Sequence, residues 1–307
     1  MRNAFANKMT ELSQIRDDLV LLSGDIGNRM FDKFKSIAPE RFINCGIAES
    51  NMMSVASGLA LTGMRPVIYT ITPFTTSRCF EQIKIGAAYH NANIVIVGTG
   101  SGLSYSELGP THHSLEDMGI LNTIPNLRIL APCDSLELCF QLEESLNLQG
   151  PTYIRIGKKG EPNLIKETTK LKIGKANIIN NGSDFLLIGV GPILNEALKA
   201  AEILKSEYQI SLCVVSFGGI EPIHEDFLRD SIAADFRGWI TLEEHGFAGG
   251  LGSKINNWIL KNSNSNLPNI INLSAPKEFI HNLGNQQYVR NELGLNSSAI
   301  VEKIINI

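Results

Sequence analysis

Short apolar runs rich in branched residues recur along the chain, separated by segments of helical periodicity. Asp18 opens "DLVLLSGD", Arg65 "RPVIYTI", Ala92 "ANIVIVG", Asn126 "NLRILAP" and Pro151 "PTYIRIG". Nearly continuous hydrophobicity of this kind suits strands buried on both faces, so parallel strands joined by helices are predicted. Between them, "DSLELCFQLEESL" begins on a good N-cap, Asp134, and offers Leu136, Leu138, Phe140 and Leu142 as buried surface. A polar, Lys-bearing stretch over residues 161–182 interrupts the alternation, which then restarts with "DFLLIGVG", "LNEALKAAEILKSE", "ISLCVVSFGG", "RGWITLEEHGFAGGLGSKINNWIL" and "NIINLSAP". The expected architecture is two parallel-sheet α/β domains: residues 1–160, a linker at 161–182, and a smaller second domain at 183–307.

Composition narrows the function classes. The 307 residues are 43% hydrophobic and 19% charged, which suits a globular chain with mass for two cores. A formal net charge of -4 and the lack of a Lys/Arg stripe argue against nucleic acid as a partner. No apolar run approaches the roughly 18 residues of a membrane span, and "MRNAFANKMTELSQ" lacks the apolar core of a secretory signal, so a cytoplasmic location without membrane contact is expected. The five cysteines form no C-x-x-C pair and read as reduced, packed thiols rather than a zinc site.

Several segments invite a chemical reading. "GTGSGL" from Gly98 follows a strand, but Leu103 stands where a dinucleotide fingerprint needs its last glycine; "GVGPIL" from Gly189 fails likewise, and "GGLGSK" from Gly249 lacks phosphate-loop spacing. These are read as turns. His112 and His113 follow a Gly- and Ser-rich stretch after a strand, where α/β proteins place ligands, although a loop histidine also serves simply as a surface residue. No third ligand accompanies them, so no metal held by this chain alone is expected.

Glu49 opens a helical pattern in which Met52, Met53, Val55, Ala56, Leu59 and Ala60 fall at core spacing, while Ser54, Ser57 and Gly58 are small enough for close backbone approach. One reading makes Glu49 a favourable charge in a first helical turn. The other makes it a carboxyl in a dry cleft with raised proton affinity, ready to exchange a proton with a ring nitrogen.

The segments "GIAESNMMSVASGLALTGMRPVIYTITPF", "SRCFEQIK", "GPTHHSLEDMGILNTIPNLRILAPCDSLE" and "GPTYIRIG" resemble the pyrimidine-binding half of transketolases and deoxyxylulose-phosphate synthases, and "ITLEEHGFAGGLGSKI" resembles their C-terminal domain. The diphosphate-binding domain of full-length members, with its GDG motif, has no counterpart here. The resemblance therefore implies a split enzyme: thiamine diphosphate and Mg²⁺ are shared with a separate subunit that holds the metal and diphosphate, in an assembly such as α2β2. It assigns Glu49 to N1′ of the aminopyrimidine, favouring the imino form that takes the thiazolium C2 proton. Phe74 is implied to stack on that ring, Arg78 and Phe80 to line the pocket, and Asp25 to lie near the cofactor. His112 is placed near the reacting oxygen, with His113 beside the substrate. Arg2 and Arg155 match arginines that hold a sugar phosphate, with surface salt bridging as the rival explanation.

Two departures bear on the substrate. Gly100 replaces a histidine of sugar transketolases, and Leu108 replaces an aspartate that recognises the donor hydroxyl. The donor is thus expected to differ from an ordinary ketose phosphate unless Glu107 compensates; Arg29 is a candidate for an acceptor anion. The leading expectation is the C-terminal subunit of a thiamine-diphosphate-dependent, transketolase-like transferase moving a two-carbon ketol or acyl unit onto an aldehyde or ketone. The alternatives are the β subunit of a 2-oxo acid decarboxylating complex and a non-catalytic assembly subunit of the same fold.

Overall fold

A computed structural model describes residues 1–27, 29–262 and 267–307. The apolar runs become strands: β1 (Leu19–Ser23), β2 (Phe42–Asn44), β3 (Arg65–Ile71), β4 (Val95–Thr99), β5 (Arg128–Leu130) and β6 (Thr152–Ile156). Every residue of β1, β4 and β6 is buried, as expected of strands covered by helices on both faces. They pair in parallel in the order β5-β6-β4-β3-β1-β2.

The rest of the chain adds β7 (Asn177–Asn180), β8 (Phe185–Gly189), β9 (Leu212–Ser216), β10 (Gly219–Glu221), β11 (Gly238–Gly246) and β12 (Ile270–Ala275). Five of these form the second sheet, in the order β12-β11-β8-β9-β7. Each sheet is parallel except at one edge. β7, which lies within the stretch read as a linker, pairs antiparallel with β9. The short strand β10 follows β9 in the chain yet joins the first sheet, antiparallel to β5, making it seven-stranded. Gly219 permits this pairing, since a Cβ there would meet the Ile129 carbonyl and lie 2.9 Å from Leu130 Cα.

One apolar cluster runs through both units, from Val20, Ile68 and Ile96 to Leu186, Val215 and Trp239. The helix Ser135–Asn147 lies along the seam. Asp134 caps it as expected, its Oδ1 accepting from Leu136 and Glu137 N–H at 2.9 Å, while Oδ2 accepts from Leu164 and Ile165 N–H at 2.7 Å. Leu138 and Leu142 are buried, whereas Leu136 and Phe140 are half-buried against the second unit's core. Glu137 and Gln141 of the same helix are buried too, bonding Ser216 Oγ and the Gly218 carbonyl.

The helix Glu49–Leu61 is less enclosed than its sequence suggests. Met52, Met53 and Ala56 are buried, Leu59 and Ala60 half-buried, and Val55, Ser54 and Gly58 face outward. Close approach occurs only at Ser57, whose Oγ fills the space where Gly86 would otherwise carry a Cβ. Ile47, Val55, Leu61, Ile85 and Tyr89 leave an apolar surface uncovered on and beside this helix.

Candidate active site

The chemistry-bearing side chains gather where the parallel strands of the first sheet end. β1 runs into Gly24 and Asp25, β2 leads to Glu49, β3 to Phe74 and Arg78, β4 to the loop carrying His112, and β6 to Lys158. The carboxyl ends of strands are the usual ligand-binding edge of an open α/β sheet.

Glu49 is the first residue of its helix and only 4% exposed. Its Oε2 accepts from Arg78 Nη1 at 2.9 Å. Gly24 keeps the adjacent space open, because a Cβ there would lie 3.0 Å from Thr70 Oγ1 and 3.5 Å from Glu49 Cγ. Thr70 Oγ1 is itself buried without a hydrogen-bond partner.

From Glu49 a continuous wall extends across the strand ends. The Arg78 guanidinium lies 4.1 Å from the centre of the Phe74 ring. Phe74 meets His112 edge-on at 5.3 Å between ring centres, and His112 meets Tyr105 at 6.1 Å. The Tyr105 hydroxyl accepts from Arg2 Nη1 at 3.4 Å, and Lys158 Nζ stands 4.9 Å from the Tyr105 ring centre. Arg2 is held by its Nε, which donates to the Lys158 carbonyl at 3.0 Å. The wall thus begins at a buried carboxylate and ends at two cations.

His112 is half-buried, and Thr111 Oγ1 lies 2.9 Å from its Nδ1. Burial, reinforced by the neighbouring His113, pushes the His112 ring below its ordinary range and keeps it neutral near pH 7. A Thr111 hydroxyl that donates to Nδ1 leaves the ring proton on Nε2, available as a donor.

The structure brings together Glu49, Phe74, Arg78, His112 and Arg2. It gives several other residues different settings. His113 is buried and its Nε2 donates to the Ser106 carbonyl at 3.1 Å, so it braces the loop rather than facing a substrate. Arg155 is 3% exposed; its Nε donates to Asp117 at 2.9 Å and its Nη2 to the Ser114 and Glu244 carbonyls. A guanidinium so enclosed has no face left for a phosphate.

Phe80 is half-buried against the central core. Asp25 is exposed at φ 54 and accepts from Asn44 Nδ2 at 3.0 Å. Glu107 and Leu108 are exposed in the one-turn helix Ser106–Leu108, and Arg29 is exposed at the mouth of the β1 loop.

Neither Tyr105 nor Lys158 is among the residues expected from the sequence. The "GKK" directly after a buried strand is a readable signal for a cation at this edge, but Tyr105 sits in a Gly/Ser-rich loop with no pattern to mark it.

Residues 1–161 match the family described as transketolase, pyrimidine binding domain, and residues 174–300 match transketolase, C-terminal domain. An apulose-4-phosphate transketolase subunit of Phocaeicola vulgatus is 31% identical over 82% of this chain and 81% of its own length. The 6-deoxy-6-sulfo-D-fructose transketolase subunit SqwH of a Clostridium species is 29% identical over 98% of this chain and 92% of its own. A solved structure described as a split gene transketolase, inactive beta4 tetramer, superposes with a TM-score of 0.87 at 27% identity, covering 99% of this chain and 96% of the other. The buried glutamate, the histidine loop and the two-unit fold thus belong to a chain of the transketolase family that spans its pyrimidine-binding and C-terminal domains.

Proposed function

We propose that this chain is the pyrimidine-binding subunit of a two-component transketolase that uses thiamine diphosphate and Mg²⁺, with the metal and diphosphate held by a separate subunit in an assembly such as α2β2. The observation that carries the reading is Glu49: a carboxylate 4% exposed, at the ligand-binding edge of the sheet, beside an aromatic ring and an unfilled hydroxyl. The residues fit the cofactor's aminopyrimidine. In the chain alone, the flat, N–H-bearing Arg78 guanidinium occupies the face of Phe74 and donates to Glu49, which are the two contacts an aminopyrimidine would make.

With the ring in that place, Glu49 holds the proton at N1′, and its burial keeps water from competing for that bond. Thiamine diphosphate supplies, when bound, the nucleophilic carbon and electron sink that ketol transfer requires. His112, neutral and carrying its proton toward the cleft, donates to the oxygen on which charge develops. Lys158 and Arg2 supply positive charge for an anionic group at the far end of the wall. The uncovered apolar surface of Ile47, Val55, Ile85 and Tyr89 adjoins the Glu49 helix and suits a subunit that would close the site. Relatives named as subunits that act on apulose 4-phosphate and on a sulfonated fructose favour a sugar donor over a 2-oxo acid.

The test is reconstitution with the diphosphate-binding subunit, thiamine diphosphate and Mg²⁺, offering ketose phosphates and pyruvate separately. Ketose consumption that falls by at least about a hundredfold in Glu49→Gln is expected. Unchanged turnover in that variant would refute the reading, and exclusive use of pyruvate would move the chain to the decarboxylase class.

A further inference from the structure

Gly100 directly follows β4 at φ +80, and a Cβ there would collide with Cε2 and Cδ2 of Tyr105. The tyrosine ring therefore lies directly on Gly100 and occupies the volume that a side chain at position 100 would take. Both features are needed, since the backbone conformation favours glycine and the ring fills the space glycine leaves.

The ring is fixed from several sides. His112 packs edge-on against it, Lys158 sits over it, and Arg2 donates to its hydroxyl. Its loop is anchored in turn: the Leu103 N–H donates to Glu244 Oε1 at 2.5 Å, and the Ser106 N–H to the Leu103 carbonyl at 2.9 Å. A phenol placed this way sets its ring edge-on to His112, between the Glu49 half of the wall and the cationic half, with its hydroxyl against Arg2. With Arg2 donating to the oxygen, the phenol's own hydrogen is free to be given to another acceptor. The exposed Leu108 offers no polar atom for that purpose.

Resting on the proposed transketolase reading, we infer that Tyr105 determines donor specificity: its O–H hydrogen-bonds the hydroxyl of the transferred ketol unit, and its ring, seated on Gly100, limits the bulk beside that group. A site built to bond a substrate hydroxyl discriminates against analogues that lack it, because the site's polar group is left unpaired.

The test compares wild type, Tyr105→Phe and Gly100→Ala in the reconstituted, cofactor-loaded complex. Hydroxypyruvate and pyruvate serve as donors that differ by one hydroxyl. Wild type is expected to favour hydroxypyruvate, and Tyr105→Phe to reduce that preference about tenfold, the loss appearing in KM for hydroxypyruvate rather than in kcat. Gly100→Ala, which must displace the ring, is expected to lower the preference as well. Calorimetric titration of glycolaldehyde into the loaded complex gives a readout without turnover, and the phenylalanine variant should bind it about tenfold more weakly. Equal preference and equal binding in wild type and Tyr105→Phe would overturn the role of Tyr105 while leaving the transketolase reading intact. A complex that neither transfers from nor binds any of these donors would overturn both.

Discussion

Arg155 and Lys158 stand three positions apart, the first within β6 and the second just beyond it, and burial gives them different chemistry. Arg155 is enclosed with Asp117, which also accepts from the Tyr153 hydroxyl at 2.6 Å. Lys158 is half-buried and lies over Tyr105 at the open edge. Replacing Arg155 with Met would leave the Asp117 carboxylate buried without its cation and should cost about 3–5 kcal/mol, measurable by urea unfolding. Lys158→Ala should leave unfolding nearly unchanged but raise KM for a phosphorylated substrate about tenfold, which steady-state kinetics of the reconstituted complex would report. Either result reversed would return Arg155 to the substrate. Sequence alone favours Arg155 over Lys158, because the partner that takes Arg155 out of reach, Asp117, lies 38 residues from it in the chain. Glu49 is legible only in part: the apolar helix that it opens suits both a first-turn charge and a buried carboxyl, and the resemblance to transketolases is what favours the second.

At the scale of elements, periodicity locates the strands and the main helices well, and it fails where an element is short or shared. β7 and β10 comprise four and three residues, too few to show alternation, and both owe their form to the strand beside them. The Ser135–Asn147 helix shows what sharing does. Its buried Glu137 and Gln141 look like a solvent face in sequence but serve the Ser216–Gly218 segment of the second unit. Asp134 concentrates this coupling, since one carboxylate satisfies two N–H groups of the helix start and two of the chain at Leu164 and Ile165. Loss of a simple cap costs about 1 kcal/mol, and further buried donors left unpaired add about 1–3 kcal/mol each. Asp134→Ala should therefore destabilise the chain by about 3 kcal/mol or more. Asp134→Asn, which keeps one accepting oxygen, should lose about half as much. Urea midpoints at constant m would measure both, and a loss no larger than that of a simple cap would show that the Leu164–Ile165 contacts contribute nothing.

For the whole molecule, the decisive contacts are those that make two units behave as one. β10 crosses from the second unit to the first sheet, and a single apolar cluster spans both. Glu244, from β11, accepts from Leu103 N–H, Gln286 and Arg290, so the second unit grips the loop that carries Tyr105 and His112. Beside it, His245 is fully buried between the units. Its Nε2 accepts from Gly119 N–H at 3.2 Å, and its Nδ1 lies 2.6 Å from the Gly246 carbonyl, to which it donates. Both nitrogens are thus committed to the neutral ring. Burial pushes its pKa down to about 4, with Arg155 acting in the same direction and the Asp117 carboxylate, 3.9 Å away, only partly opposing it. An unfolded histidine titrates near about pH 6.5, so the unfolded chain takes up this proton first as pH falls. Stability is then full above about pH 6.5 and is lost progressively toward about pH 4, by roughly 2–3 kcal/mol from this group. Glutamine at 245 retains an acceptor for Gly119 N–H and has nothing to titrate. Urea unfolding of His245→Gln across this range should therefore show a shallower acid slope than wild type. Identical slopes would place the acid sensitivity elsewhere and leave the seam between the units indifferent to pH.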